Sequence, residues 1–551
     1  MRVLIIGGNA SGACCGARLR RLDEKCEIVI FEKGDFISFA SCGLPYFIGG
    51  EIRNEENLSV QTPHTFKSRF NIEVRVNSEV VGIDKAFKEI TVRKENGALY
   101  KEKYDKLVIA TGVSSRIPEI DGIDSEGVFT LRTIPDTIRI NSYIKEKAPK
   151  KALIIGGGYI GIEMAENLTK RGISVTVAER GEHIIPSIDY DMSREVCRYL
   201  TQKGVAVSEN SEITKIVKHA DELSVIINGN TKRFDMIILS AGVKAESDLA
   251  KQCDLQLGIG DSILVDEHLE TSEKDIYSAG DVIQVANLVS NSPSMIPLAG
   301  PASKQGRIVA DSICGIDTAY KGTLGTSVLK IFDMTVAQTG LSEEKIKTLG
   351  YDYDKTYTYS PSHATYYPNA KMMSIKTMWD KKTLKILGCE IVGFDGVDKR
   401  IDVMATVISL GGKILDLKDL ELCYAPPYSS AKDPINMVGF VADNVISGRL
   451  KQFFWHDVDS LPRDGSINLL DVRSEYEFSS GAIDGFINIP LDSIRAGLHR
   501  LDKKKPVYVH CHSGHRSYIA CSILVGNGFD CYNLAGGYRF YELNASKKQH
   551  K

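Results

Sequence analysis

The chain has 551 residues, 43% of them apolar, with 68 Lys plus Arg against 71 Asp plus Glu and a formal net charge of −3. That length fits three or four domains with real cores, and the even charge balance excludes both the basic stripe of a nucleic-acid binder and the polybasic tail of a membrane-surface protein. No stretch approaches the ~18 apolar residues of a spanning helix, Met1-Arg2-Val3 runs into an apolar strand without a signal peptide, and the 12 cysteines follow neither a disulfide framework nor a zinc spacing. The expectation is a cytoplasmic protein with no nucleic-acid or membrane partner.

Val3 to Ile6 predicts a buried parallel strand. Gly7-Gly8-Asn9-Ala10-Ser11-Gly12 follows, then an amphipathic helix to about Leu22, then a strand from Glu27 to Phe31 that ends at Glu32 and Lys33. In this βαβ opening, Gly7, Gly8, Ala10 and Gly12 let the backbone approach a pyrophosphate at the helix N-terminus. Glu32 takes the ribose hydroxyls. Asn9 replaces the middle glycine of the fingerprint, so a glycine-rich turn in another α/β protein stays open at this point. The helix carries Arg18, Arg20 and Arg21. Arg20 reads as part of a solvated basic face; Arg18 and Arg21, one turn apart, are spaced to grip phosphates.

Ser38-Phe39-Ala40-Ser41-Cys42-Gly43-Leu44-Pro45-Tyr46 comes next. Pro45 suits the first turn of a helix. A sulfur at a helix N-terminus ionises more easily than a free thiol. Cys42 has no cysteine within a few residues, so its adduct is with something else, unless it is simply a buried inert cysteine.

Lys106 to Ala110-Thr111-Gly112 is a strand running into a glycine turn. A complete second fingerprint follows: the strand Ala152 to Ile155, then Gly156-Gly157-Gly158-Tyr159-Ile160-Gly161, a helix, and a strand Ser174 to Ala178 ending at Glu179. Two such units predict two dinucleotides. Glu179 favours the free 2′-hydroxyl of NAD over the phosphate of NADP, with Arg180 beside it able to soften the choice. Phe234 to Gly242 closes the second unit. Thr271 to Gly280-Asp281 is a strand delivering a carboxylate at a glycine bend, which suits a sugar-alcohol chain. Glu163 reads either as a site residue or as an early-helix carboxylate stabilised by the dipole.

From about Gly325 to Gly448, strand-like runs such as Ser327 to Phe332 alternate with helical ones. Tyr366 stands in Ala364-Thr365-Tyr366-Tyr367-Pro368 and Tyr424 in Cys423-Tyr424-Ala425-Pro426-Pro427. From the residues alone, packing and turn roles are favoured for both. Gly448 to about Ser466 reads as a linker. A strand Ile467 to Arg473, a short helix from Glu475 and a strand Val507 to His510 then lead to Cys511-His512-Ser513-Gly514-His515-Arg516, with a helix from near Ser517. Such a loop rings its centre with backbone N–H groups, and Arg516 adds charge for an anionic sulfur on Cys511. His512 and His515 sit too tightly on one loop to surround a metal, so no metal is expected.

These segments resemble the two-dinucleotide flavoprotein disulfide reductase superfamily over about residues 1 to 445. The resemblance implies FAD on the first unit, NAD(P)H on the second, Asp281 at the ribityl chain, Glu163 near nicotinamide and flavin, and a dimerisation domain. The single cysteine in Ser-Phe-x-x-Cys looks like the branch of NADH oxidases, NADH peroxidases and coenzyme A disulfide reductases, which makes Cys42 the redox cysteine. Coenzyme A disulfide reductases imply that Tyr366 and Tyr424 reach across a homodimer to the partner's cysteine. They also imply coenzyme A contacts at Cys14, Arg18, Arg21, Ser38, Ser41, Tyr424 and Lys432. The family's lysine near position 70 is missing; Phe70 stands there, with Arg69 beside it. Residues 460 to 546 resemble a single-domain rhodanese with Cys511 as its persulfide-forming cysteine, the alternative being an inactive docking module.

The expected architecture is α/β: two Rossmann-like dinucleotide-binding domains, an α+β dimerisation domain and a C-terminal α/β rhodanese domain. The expected divisions are 1–150 and 246–322 for FAD, 151–245 for NAD(P)H, 323–447 for dimerisation, 448–466 as linker and 467–551 for rhodanese. The combination resembles coenzyme A disulfide reductase–rhodanese fusions, some of them NADH-dependent persulfide or polysulfide reductases. It implies reduction of coenzyme A disulfide, coenzyme A persulfide or polysulfide, coupled to sulfurtransfer. The alternatives are a water-forming NADH oxidase or peroxidase, and a sulfur-trafficking platform with little turnover.

Overall fold

The computed structural model describes residues 1–545; the last residues of the expected rhodanese domain, 546–551, lie outside them. The described residues form two compact units. One comprises Met1–Pro186 with Leu200–Gly325, the other Ser187–Tyr199 with the residues from Thr326 onward.

In the first unit, apolar runs become buried parallel strands. Leu4, Ile5, Val29, Leu107 and Val108 are fully buried, each contributing roughly 1.5–3 kcal/mol relative to exposure. The sheet runs Ile276–Ser278, Lys106–Ile109, Arg2–Ile6, Glu27–Phe31, Glu73–Arg75, all parallel. The second five-stranded parallel sheet runs Ala206–Ser208, Ser174–Ala178, Lys151–Ile155, Met236–Leu239, Val128–Thr130. Its edge strand therefore precedes the expected boundary at 150. The Tyr143 hydroxyl, on the helix Ile134–Lys147, also donates to the Asp235 carbonyl at 2.8 Å, which ties that helix to the second sheet.

Arg20 departs from its expected solvated face. It is 6% exposed, and its guanidinium donates to the carbonyls of Phe70, Asp23, Glu24, Cys26 and Asn71. A buried cation is tolerable when its donors are all met. Here the helix end at Phe70–Asn71 supplies acceptors that no local spacing reveals.

The second unit holds an antiparallel sheet in the order Ser327–Ile331, Met334–Gly340, Ile386–Gly393, Met372–Asp380, Tyr353–Pro361. The segment Ser187–Tyr199 belongs to this unit, not to the nucleotide domain expected over 151–245, and charge is the reason. Lys376, fully buried, reaches Asp189 at 2.8 Å, Asp191 at 3.0 Å and Glu343 at 2.8 Å. Lys355 pairs with Glu343 at 2.7 Å. Asp189, Asp191 and Glu390 are close enough together to hold a metal ion, but the Lys376 ammonium already provides the cation for both aspartates. Burial, with Asp189 alongside, pushes the Glu390 carboxyl well up.

The expected linker is also structured. Lys451–Phe453 is an edge strand paired in parallel with Cys531–Leu534, completing a sheet in the order Lys451–Phe453, Cys531–Leu534, Val507–His510, Asn468–Asp471, Ile487–Asn488. Leu450 and Phe453 are buried, as is Val458, so apolar side chains hold this stretch against the domain it enters.

Candidate functional site

The two glycine loops are built on the same logic. Gly7 has φ +103° and Gly156 φ +107°, a conformation that an L side chain resists. A Cβ on Gly12 would lie 2.0 Å from the Gly7 carbonyl oxygen, and one on Gly161 2.1 Å from that of Gly156, so helix and loop close only on glycine. A Cβ on Gly158 would meet nothing within 4 Å, which leaves that backbone open to an incoming phosphate. Glu32 accepts from the Gly8 and Gly34 amides at 2.9 and 3.0 Å; Glu179 does the same with Gly157 and Gly181 at 2.7 and 2.6 Å. Each carboxylate is thus fixed at the mouth of its loop, where a ribose would stand. The residues present fit two dinucleotides.

Ala110, Thr111 and Gly112 follow the strand that pairs with Arg2–Ile6, beside the first loop, and the Thr111 hydroxyl donates to the Glu246 carbonyl at 2.6 Å. Lys33 faces Glu246 at 3.5 Å. Tyr159 and Ile160 open the helix behind the second loop. Gly242, with φ +96°, leads out of the strand Met236–Leu239. Asp281 follows Gly280, whose amide donates to Gln305 at 2.8 Å. Burial raises the Asp281 carboxyl against the pull of Arg132, which lies 3.4 Å away.

Cys42 lies in the short turn Ser41–Gly43 ahead of the helix Leu44–Gly49, with Pro45 in the first turn as expected. It lines a cavity of about 610 Å³ with Cys14, Arg18, Arg21, Ser38, Ser41 and Phe70. The structure therefore brings together every expected coenzyme A contact of the first unit. Ser38 has φ +44°, held by its amide on the Gly8 carbonyl and its own carbonyl under Val60. The Arg18 side chain is fixed by Asp311 at 2.7 Å. Ser303 and Arg307 also line the cavity; they come from the helix Ala299–Ile313, nearly three hundred residues on, and sequence reasoning missed them. Arg21 and Arg307 make no ion pair among the described residues.

The helix-start expectation for Cys42 is not met. Although exposed to the cavity, its sulfur is surrounded closely enough that desolvation raises the thiol; Glu163 adds to this, while Ser41 and Arg132 oppose it. A helix of six residues has too little dipole to prevail. Glu163 itself is pushed up to about 7, by burial first and Glu166 further, against a hydrogen bond from Tyr46 at 3.3 Å. As pH rises through about 7, Glu163 gains its charge and holds the Cys42 proton more tightly. Glu163→Gln should therefore alkylate faster at Cys42 above neutrality, and the inflection near pH 7 in the iodoacetamide rate profile should vanish. A variant profile that keeps this inflection would remove Glu163 from the site.

In the second unit, Tyr366 and Tyr424 are 74% and 48% exposed, and their hydroxyls meet at 2.5 Å. Arg400, 1% exposed, joins the two loops that carry them. It donates to the Ser362 carbonyl at 2.9 Å, to Ser429 at 3.2 Å and to Asp433 at 2.9 Å. Burial works to raise Asp433, but Arg400 and Ser429 outweigh it and hold the carboxyl low. Sequence reasoning did not single out Arg400. Lys432 is exposed next to Asp433.

Cys511 ends the central strand Val507–His510 and is fully buried. Its sulfur accepts from the Gly514 amide at 3.1 Å and the Ser517 hydroxyl at 3.3 Å; the hydroxyl is a donor that the sequence reading did not name. The loop is clamped from outside, because the Tyr538 and Arg539 amides donate to the Cys511 and His512 carbonyls at 2.7 and 3.0 Å. Arg516 makes two hydrogen bonds to Glu477, both of 2.7 Å, and acts on Cys511 only secondarily. His510, buried against Asp471, is pushed down to about 4 by desolvation and stays neutral.

Residues 1–306 match the family described as pyridine nucleotide-disulphide oxidoreductase, residues 326–434 its dimerisation domain, and residues 455–543 the rhodanese-like domain. The coenzyme A disulfide reductase of Staphylococcus haemolyticus is 34% identical over 443 residues, which is 80% of this chain and 99% of that one. The crystal structure of reduced Bacillus anthracis CoADR-RHD superposes with a TM-score of 0.97 at 44% identity, over 99% of this chain and 98% of that one. The NAD-dependent persulfide reductase from A. fulgidus gives 0.92 at 35% identity, over 98% and 100%. No helix among the described residues is long and apolar enough to cross a membrane.

Proposed function

The chain belongs to the pyridine nucleotide-disulphide oxidoreductases, and from that premise we propose that it is an NAD(P)H-dependent reductase of sulfur–sulfur bonds. Its substrates are coenzyme A disulfide, coenzyme A persulfide or polysulfide, and its rhodanese domain handles sulfane sulfur on Cys511. FAD bound at the first glycine loop supplies two-electron chemistry between the nicotinamide and the thiol. The Glu179 carboxylate at the second loop supports NADH over NADPH.

The observation that carries this reading is the cavity with Cys42 in its lining and Arg18, Arg21 and Arg307 around it. Three guanidinium groups suit the phosphates of coenzyme A, and the apolar lining residues Ala13, Ala17 and Phe70 suit its slender arm. Cys42, as thiolate, attacks one sulfur of the substrate and expels the other as thiolate or sulfide. The Tyr366–Tyr424 pair has a phenolic proton to give to a leaving sulfur; by resemblance, it serves the cysteine of a second copy in a homodimer. Glu163 and Tyr46 hold a proton beside Cys42. Gly514 and Ser517 stabilise a sulfur anion on Cys511.

The test is steady-state NADH oxidation with coenzyme A disulfide, inorganic polysulfide, molecular oxygen and peroxide as separate acceptors. Sulfur acceptors should exceed oxygen and peroxide by at least about tenfold in kcat/KM. Arg307→Glu should raise KM for coenzyme A disulfide and leave that for polysulfide unchanged. If oxygen or peroxide is the fastest acceptor, the protein is an oxidase or peroxidase instead.

A further inference from the structure

The rhodanese domain holds two cysteines that the chemistry above leaves unused. Cys521 lies on the helix His515–Gly526, and Cys531 opens the strand Cys531–Leu534. Both are free thiols, 4% and 3% exposed, within the same apolar cluster as Cys511, Val509 and Leu524. Their sulfurs approach to 2.9 Å, within about an ångström of a covalent S–S bond length. Buried cysteines often pack as small apolar groups. Two features set this pair apart. The sulfurs face one another, and Cys521 lies one helical turn beyond Ser517, whose hydroxyl holds the Cys511 sulfur. Burial, with Cys531 alongside, pushes the Cys521 thiol up.

We infer that Cys521 and Cys531 form a redox-active dithiol that closes to a disulfide when sulfane sulfur reaches the rhodanese domain. With hydrogen disulfide, HS–SH, as oxidant, one protein thiol attacks a sulfur of HS–SH and breaks that S–S bond. Cys–S–SH forms, and the departing hydrosulfide anion takes the thiol's proton to become hydrogen sulfide. The second thiol attacks the carbon-bound sulfur of Cys–S–SH. The protein disulfide forms, the Cys–S–SH bond breaks, and the leaving hydrosulfide takes the second proton. The sum is two thiols plus HS–SH giving one disulfide plus two molecules of hydrogen sulfide; the protein is oxidised and the sulfane sulfur reduced. Neither Cys42 nor a pyridine nucleotide takes part. In a reducing compartment such a bond is transient, as in redox-sensing pairs, so the pair reports the sulfane-sulfur load.

The experiment uses the full-length flavin-bound protein carrying Cys42→Ser and Cys511→Ser, and wild type in parallel. Each is incubated with sodium disulfide, unfolded in iodoacetamide and digested with trypsin. No Lys or Arg separates the two cysteines, so both fall in the single peptide Ser517–Arg539. Untreated protein should give this peptide doubly alkylated. Treated protein should give it without alkyl groups and lighter by two hydrogens, and dithiothreitol should reverse the change. Cys521→Ala should leave Cys531 unbridged. A doubly alkylated peptide after treatment of folded wild type, or one cysteine persulfidated with no bridge, would overturn the inference.

Discussion

Cys42→Ser should lower NADH-driven reduction of coenzyme A disulfide by about a thousandfold or more, while thiosulfate:cyanide sulfurtransfer stays within about twofold of wild type. A serine hydroxyl neither attacks a sulfur–sulfur bond nor holds a mixed-disulfide adduct at neutral pH. The substitution leaves the cavity and its arginines intact, so flavin content and coenzyme A binding should persist. That persistence separates lost chemistry from lost fold. Cys511→Ser should show the reverse pattern, because its sulfur is held by Gly514 and Ser517 within the rhodanese loop. Loss of both activities from either change in folded protein would mean one composite site.

Lys376→Met should destabilise the second unit by about 3–5 kcal/mol, read as an earlier urea transition with no change for the first. The ammonium is fully buried and compensates Asp189, Asp191 and Glu343. Burial opposes its charge, yet Asp191, Tyr357, Asp189 and Glu390 together hold it well above the ordinary lysine range. A methionine fills the stem's volume but takes the ammonium from Asp189 and Asp191, while Glu343 keeps Lys355. Adding Asp191→Asn should recover part of the loss, since one of the stranded charges goes with it. A Lys376→Met protein within about 1 kcal/mol of wild type would mean that the carboxylates protonate at little cost.

How far the sequence reaches depends on whether a feature is local. Val3 to Ile6 and Glu27 to Phe31 are legible because buried parallel strands must be apolar throughout. Gly156 to Gly161 is legible because a pyrophosphate-sized approach admits little else. The coenzyme A contacts expected at Cys14, Arg18 and Ser38 come from the resemblance, and these three residues line one cavity. Arg307 was invisible because nothing near it marks which helix the first one packs against. Arg20 looked solvated because its acceptors at Phe70 and Asn71 lie fifty residues away. Ser187–Tyr199 changed allegiance for the same reason: Asp189 and Asp191 answer to Lys376, far along the chain. The thiol of Cys42 is pushed up because desolvation, with Glu163 adding to it, outweighs Ser41 and Arg132, and Glu163 lies more than a hundred residues along the chain.

The strand Lys451–Phe453 decides where this molecule can be cut. A rhodanese fragment begun at 455, where its family pattern starts, would lack the partner of Cys531–Leu534. The open backbone of that strand, flanked by bared Leu534 and Tyr532, would be a template for pairing with a second fragment. Excised modules should then aggregate, whereas fragments begun at 449 should stay monodisperse longer. The same geometry bears on ancestry: a free-standing rhodanese appended to a reductase has to inherit its edge strand with the junction. Loss of a few residues there would leave a catalytic loop in place on a sheet with an open side.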